Sequence, residues 1–165
     1  MIISNSTDKS KYSNVWVVAD ILSGRIQPVT HELIGAARSL ADKRSSRVWV
    51  VAMGSGIAGQ ADSLFAFGAD RVIIIDDERL SGFNDELEAR TMIRLIKKYN
   101  PEIVIYAATT RGRALAPRIA VKAQCGLTAD CTGLEIDLEN GDLLQTRPAF
   151  GGNIMATIRC PGHRP

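Results

Sequence analysis

Four short runs, residues 15–19 (VWVVA), 48–52 (VWVVA), 72–75 (VIII) and 103–106 (IVIY), constrain the fold of this chain more than any other feature. None alternates apolar with polar residues, so each is expected to be a strand covered on both faces, as in a parallel sheet. Between them the apolar residues take helical spacing. Leu33, Ile34, Ala37, Leu40 and Ala41 follow the first run, with Thr30 as the expected cap and Lys43 and Arg44 suiting the negative end of the helix dipole. Ala61, Leu64 and Phe65 mark a shorter helix that stops at Gly68. Asn84 or Asp85 opens a third, with Ala89, Met92, Ile93, Ile96 and Tyr99 inward and Asn100 and Pro101 at its end. After the fourth run, Thr109 and Thr110 can accept hydrogen bonds from the first N–H groups of a helix, and Gly126 is expected to close it. This alternation implies right-handed βαβ units and a Rossmann-like three-layer α/β domain, a parallel sheet with helices on both faces.

Beyond Gly126 the rhythm changes. Residues 128–137, 143–147 and 154–160 read as strands without helices between them, joined through Asn140, Gly141 and Asp142 and then Gly151, Gly152 and Asn153. They are expected to add antiparallel or mixed strands at one edge of the sheet.

At 165 residues and 45% apolar composition the chain holds one domain with a real core. A net charge of +2, with acids and bases interspersed, lacks the footprint of a nucleic-acid binder. The apolar runs fall far short of the ~20 residues that cross a bilayer. Residues 1–14 form a polar lead-in with no secretory signal pattern. Cys125, Cys131 and Cys160 have no CxxC spacing and only two histidines to join them, which argues for reduced thiols in a cytoplasmic or matrix-like compartment and against a metal site.

Three stretches could carry function. Arg111 and Arg113 flank Gly112 where a helix begins, and cations there oppose the dipole. Their compensation is a ligand phosphate, a carboxylate elsewhere in the chain or an acidic patch on a partner, unless both are simply solvated. Residues 54–59 spell GxGxxG through Gly54, Gly56 and Gly59, between strand and helix, with Asp76 and Asp77 about 20 residues on, as a dinucleotide fingerprint requires. The motif follows the second strand instead of the first, and a glycine-rich turn would look similar. Arg147, Pro148, Ala149, Phe150, Gly151, Gly152 and Asn153 suit a docking knob, with Phe150 filling a partner's pocket and Arg147 at its rim, or a hairpin turn with Phe150 folded inward. Neither His31 nor His163 has a nucleophile partner in a recognisable motif, so no catalytic residue is assigned.

The blocks IQPVTHELIGAARSLAD, FGADRV, TTRGRALAPRIA, GLTADCTGLEID and QTRPAFGGNIMATIRCPGHRP occur in an order that closely resembles the N-terminal domain of the electron transfer flavoprotein alpha subunit, from about Val15 to the last residue. The resemblance implies an adenine-nucleotide alpha-hydrolase-like fold over residues 15–165. It also implies that FAD is bound mainly by a separate C-terminal domain of the subunit, so residues 15–165 are expected to be truncated before it and to bind no cofactor themselves. The expected partners are the electron transfer flavoprotein beta subunit and, for the whole complex, donor dehydrogenases. The expected docking residues are Arg111, Arg113, Arg147, Phe150 and Asn153. The competing expectation is a stand-alone module binding NAD, FAD or AMP through Gly54, Gly56, Gly59 and Asp76. An ATP-hydrolysing enzyme is disfavoured, because residues 19–24 lack an SGGxDS phosphate loop.

Overall fold

The structure is a computed structural model that describes residues 9–149 and 154–160. The four β-prone runs become β1 (Val15–Val18), β4 (Val48–Gly54), β5 (Arg71–Asp76) and β6 (Ile103–Ile105). They pair in parallel in the order β5-β4-β1-β6, with Val15 beside both Val48 and Ile103. Every residue of the central strands β1 and β4 is buried, which is why neither run alternates in polarity.

Strand parity sorts the core into two layers. Val15, Val17, Val48 and Val50 face α1 (Pro28–Lys43), whose Ile34, Ala37, Leu40 and Ala41 cover them together with Leu64 of α2 (Ala61–Ala66). Trp16, Val18, Trp49, Val51 and Met53 face α3 (Asp85–Tyr99) and α4 (Thr110–Ala123), through Met92, Ile96, Leu115 and Ile119. On this second side Trp16 and Trp49, neighbours in register, stack at 5.7 Å between ring centroids, and Tyr99 closes edge-on at 5.4 Å from Trp49.

The helix termini follow local chemistry, with two departures from expectation. Asn84 caps α3 by accepting from the Leu87 N–H at 3.0 Å, and Asn100 ends it in the left-handed conformation just before Pro101. Thr30, however, does not cap α1. That helix begins at Pro28, which has no N–H to satisfy, and the buried Thr30 hydroxyl instead accepts from the Asp20 N–H at 3.0 Å, tying the helix to the end of β1. Nor does Gly126 close α4. Gln124 takes the left-handed position there, at φ 55°. Between Asp20 and α1 the expected turn is a small hairpin, β2 (Ile21–Leu22) with β3 (Arg25–Ile26), whose two-residue loop Ser23-Gly24 has positive φ at both positions.

The largest difference lies after α4. β7 (Gly133–Ile136), β8 (Leu143–Pro148) and β9 (Met155–Arg159) are antiparallel and make their own three-stranded sheet in that order; they do not extend the parallel one. Short connections make each strand pair with the next, and Leu134, Ile136 and Leu143 pack onto the α1 side of the core. Among the described residues no helix is long and apolar enough to cross a membrane.

Candidate functional site

Open α/β sheets seat ligands outside the carboxyl ends of their strands, where the winding direction reverses. Here the reversal falls between β1 and β6, since β4 and β5 extend the sheet from one side of β1 and β6 from the other. The glycine loop at the end of β4, the two aspartates where β5 ends and the turn into α4 all gather along this edge.

Asp76, the last residue of β5, turns its carboxylate into the glycine loop. Oδ1 accepts from the Gly56 N–H at 2.7 Å, and Oδ2 accepts from the N–H groups of Ile57 and Ala58, both at 2.9 Å. These bonds, those from Ala58 and Gly56 foremost, hold the carboxyl below its ordinary pKa. The concave row of N–H groups that would cradle a phosphate is thus taken up by the chain's own anion. At Gly54 a Cβ would stand 3.1 Å from Ile57 Cγ2, a tight approach, and Gly56 supplies a positive φ of 70°. At Gly59 a Cβ would meet open space, so no close approach requires a glycine. The following helix is only six residues long. Asp77 bonds instead to the Arg79 backbone and guanidinium, which draw its pKa down to about 2.

Arg111 reaches back across the strand ends. Its guanidinium donates to the carbonyl of Ile21 at 2.6 Å and of Met53 at 3.3 Å, pairs with Glu88 Oε1 at 2.7 Å, and lies over the Phe83 ring at 5.3 Å. Glu88 is fully buried on α3, and burial pushes its carboxyl up despite the pull of Arg111. Arg113 points outward, donating to the Ala108 carbonyl at 3.1 Å and pairing with Asp130 at 2.8 Å, with both side chains largely exposed. Carboxylates within the chain therefore face both arginines that crowd the start of α4. Between them Gly112 is obligatory for packing, because a Cβ would overlap the Ala107 carbonyl oxygen.

Arg147 lies on β8 opposite Ala156, half-buried beside Cys131, and forms no ion pair among the described residues. Close to it Ile154 and Met155 are exposed. Phe150 and Asn153 lie outside the described residues, as does His163. His31 stacks on Phe67 at 3.9 Å between centroids. Among the described residues no cluster of His, Cys, Asp or Glu could hold a metal. A cavity of about 520 Å³ lies between β6, α4 and the antiparallel sheet, lined in part by Leu33, Tyr106, Ala120, Cys125, Cys131 and Cys160.

Two features escape the sequence reading. Glu88 passes for one more surface acid on a charged helix, although its place four residues before the inward Met92 could have marked it. Arg44 bonds to Glu102 and to the Gly141 carbonyl, pinning the end of α1 to the start of β6 and to the turn before β8. No local pattern links those three positions.

Fold and edge together define an open α/β domain whose glycine loop and α4 turn are bonded to the chain's own charged groups. The chain belongs to the electron transfer flavoprotein domain family, whose model matches residues 15–165. It is 49% identical over 154 residues to the electron transfer flavoprotein subunit alpha of Thermoanaerobacterium thermosaccharolyticum, covering 93% of this chain and 46% of that protein. Identity is 44% over 158 residues to the alpha subunit of Clostridium acetobutylicum, with 96% of this chain and 47% of the relative covered. It is 46% over 158 residues to the lactate dehydrogenase (NAD(+),ferredoxin) subunit LctC of Acetobacterium woodii, with 96% and 38% covered. The chain thus spans about half the length, or less, of these relatives.

Proposed function

We propose that residues 15–165 are the N-terminal scaffold and subunit-docking domain of an electron transfer flavoprotein alpha subunit, in a cytoplasmic heterodimer that carries electrons from dehydrogenases through FAD. The family match and the alpha-subunit relatives support the electron-transfer setting. The observation that carries the scaffold role is Asp76 seated on the N–H groups of Gly56, Ile57 and Ala58. A flavin or nicotinamide pyrophosphate would have to displace a carboxylate already held by three hydrogen bonds, so these residues do not fit the cofactor. FAD is then held outside residues 15–165, and this domain has no catalytic activity of its own.

Docking to a beta subunit falls to Arg113, to Arg147 and to the apolar residues beside Arg147. Arg113 and Arg147 offer charge, Ile154 and Met155 offer exposed apolar surface, and Phe150 and Asn153, outside the described residues, complete the proposed set. Arg111 contributes from within, by fixing the turn that presents Arg113. Co-purification with the beta subunit is expected to be lost in Arg147→Glu and in Phe150→Ala; retention in both would sink the docking role. Titration calorimetry of the protein with AMP and NAD is expected to give no binding heat assignable to the glycine loop. Heat abolished by Gly56→Ala would restore the stand-alone nucleotide module.

A further inference from the structure

The three thiols of this chain gather on one cavity although they are far apart in sequence and form no motif. Cys125 follows the left-handed end of α4, and Cys160 follows β9, an edge strand of the antiparallel sheet. The contact between these two places is intimate. A Cβ built on Gly126 would stand 2.5 Å from Cys160 Sγ and 3.0 Å from its Cβ, so Cys160 packs onto bare backbone one residue from Cys125. Burial pushes the Cys125 thiol up and the nearby Cys160 adds to that shift, while the Cys131 thiol reaches the Thr128 carbonyl at 3.5 Å and lies near Arg147. Gly126 is therefore explained by this approach and not by helix termination.

We propose that Cys125 and Cys160 are a reversible thiol pair that closes to a disulfide by exchange with a low-molecular-weight disulfide, locking the end of α4 to the antiparallel sheet. The Cys160 thiolate attacks one sulfur of the small disulfide, forming a mixed disulfide and releasing one small thiolate. The Cys125 thiolate then attacks the Cys160 sulfur and expels the second. The two protein thiols give up two protons and two electrons, and the small disulfide leaves as two thiols. Burial of Cys125, which pushes its thiol up, makes it the slower second nucleophile and protects the reduced pair from casual oxidation. The bond would tie the end of α4 covalently to the end of β9, so closure stiffens the sheet that bears Arg147.

The test is to incubate the purified protein with oxidised glutathione, alkylate, and map peptides without reduction. The expected product is a chain lighter by two hydrogens, with the Cys125 and Cys160 peptides joined and Cys131 alkylated. Cys131→Ser should leave that product unchanged. Cys125→Ser and Cys160→Ser should each abolish it, with a glutathione adduct accumulating on the remaining member. Gly126→Ala, which forces Cys160 away, should slow closure by about tenfold, with circular dichroism confirming the fold. Joining of Cys131 to either partner, stable glutathione adducts on both Cys125 and Cys160, or closure at the parent rate in Gly126→Ala would overturn the pairing. So would an absence of reaction in the folded protein.

Discussion

Asp76 stands in two readings of one motif. By spacing it belongs to a dinucleotide fingerprint, yet in the fold its carboxylate takes the N–H groups that the fingerprint would offer a phosphate. Its depressed pKa makes this contact dependent on ionisation. A carboxyl whose folded pKa lies below the unfolded one stabilises the fold above its ordinary value of 3.8 and loses that contribution as pH falls through the folded value. The thermal midpoint of the parent should therefore drop from pH 5 towards pH 2 more steeply than that of Asp76→Asn, and the two curves should converge at the acid end. Parallel curves would mean the carboxylate is not bonded to the loop in solution. Because Asp76 is exposed, the difference should shrink at high salt.

At the scale of elements, the Arg111 and Glu88 pair joins α4 to α3 across the strand ends, and Gly112 lets α4 close on the backbone after β6. The pair is strongly asymmetric in its sensitivity to change. Removing the cation alone leaves a buried carboxylate unpaired, so Arg111→Met is expected to cost about 3–5 kcal/mol in chemical denaturation. Replacing both charges with apolar groups, in Arg111→Met with Glu88→Leu, should recover most of that loss. A double variant no better than the single one would show that the guanidinium acts mainly through the Ile21 and Met53 carbonyls. This pairing was only half legible. The sequence posed the question of what balances two arginines at a helix start and named an internal carboxylate as one answer. Which carboxylate could not be read, because Glu88 and Arg111 are 23 positions apart on different helices. Helix ends were legible wherever the deciding chemistry was local, as at Asn84 and Asn100. They were misread where a distant contact intervened, as at Thr30, held by Asp20, and at Gly126, held by Cys160.

The whole molecule consists of two unequal parts. The parallel sheet is sandwiched between helix layers, whereas the antiparallel sheet is fastened by Leu134, Ile136 and Leu143 on the α1 side and by Arg44 at the Gly141 turn. Burial differs accordingly, complete in β1 and β4 and partial in β8 and β9. Amides of β8 and β9 should thus exchange with solvent well before those of β1 and β4, and Arg44→Ala should accelerate the first group without affecting the second. Uniform protection across both sheets would mean that they open as one unit. The docking surface proposed above would lie on the less buried sheet, beside the fully buried parallel one.

The parallel sheet, its four strands and the two helix layers were legible in periodicity and in end signals written over a few neighbouring residues, where polarity must match burial, and the family in ordered motif blocks. Folding alone settles where the last three strands pair, which acid neutralises Arg111, what bonds to the glycine loop and what stands against Gly126. Each of these depends on groups brought together from remote positions, and a single sequence carries no local trace of a contact whose energy arises only after the chain has closed.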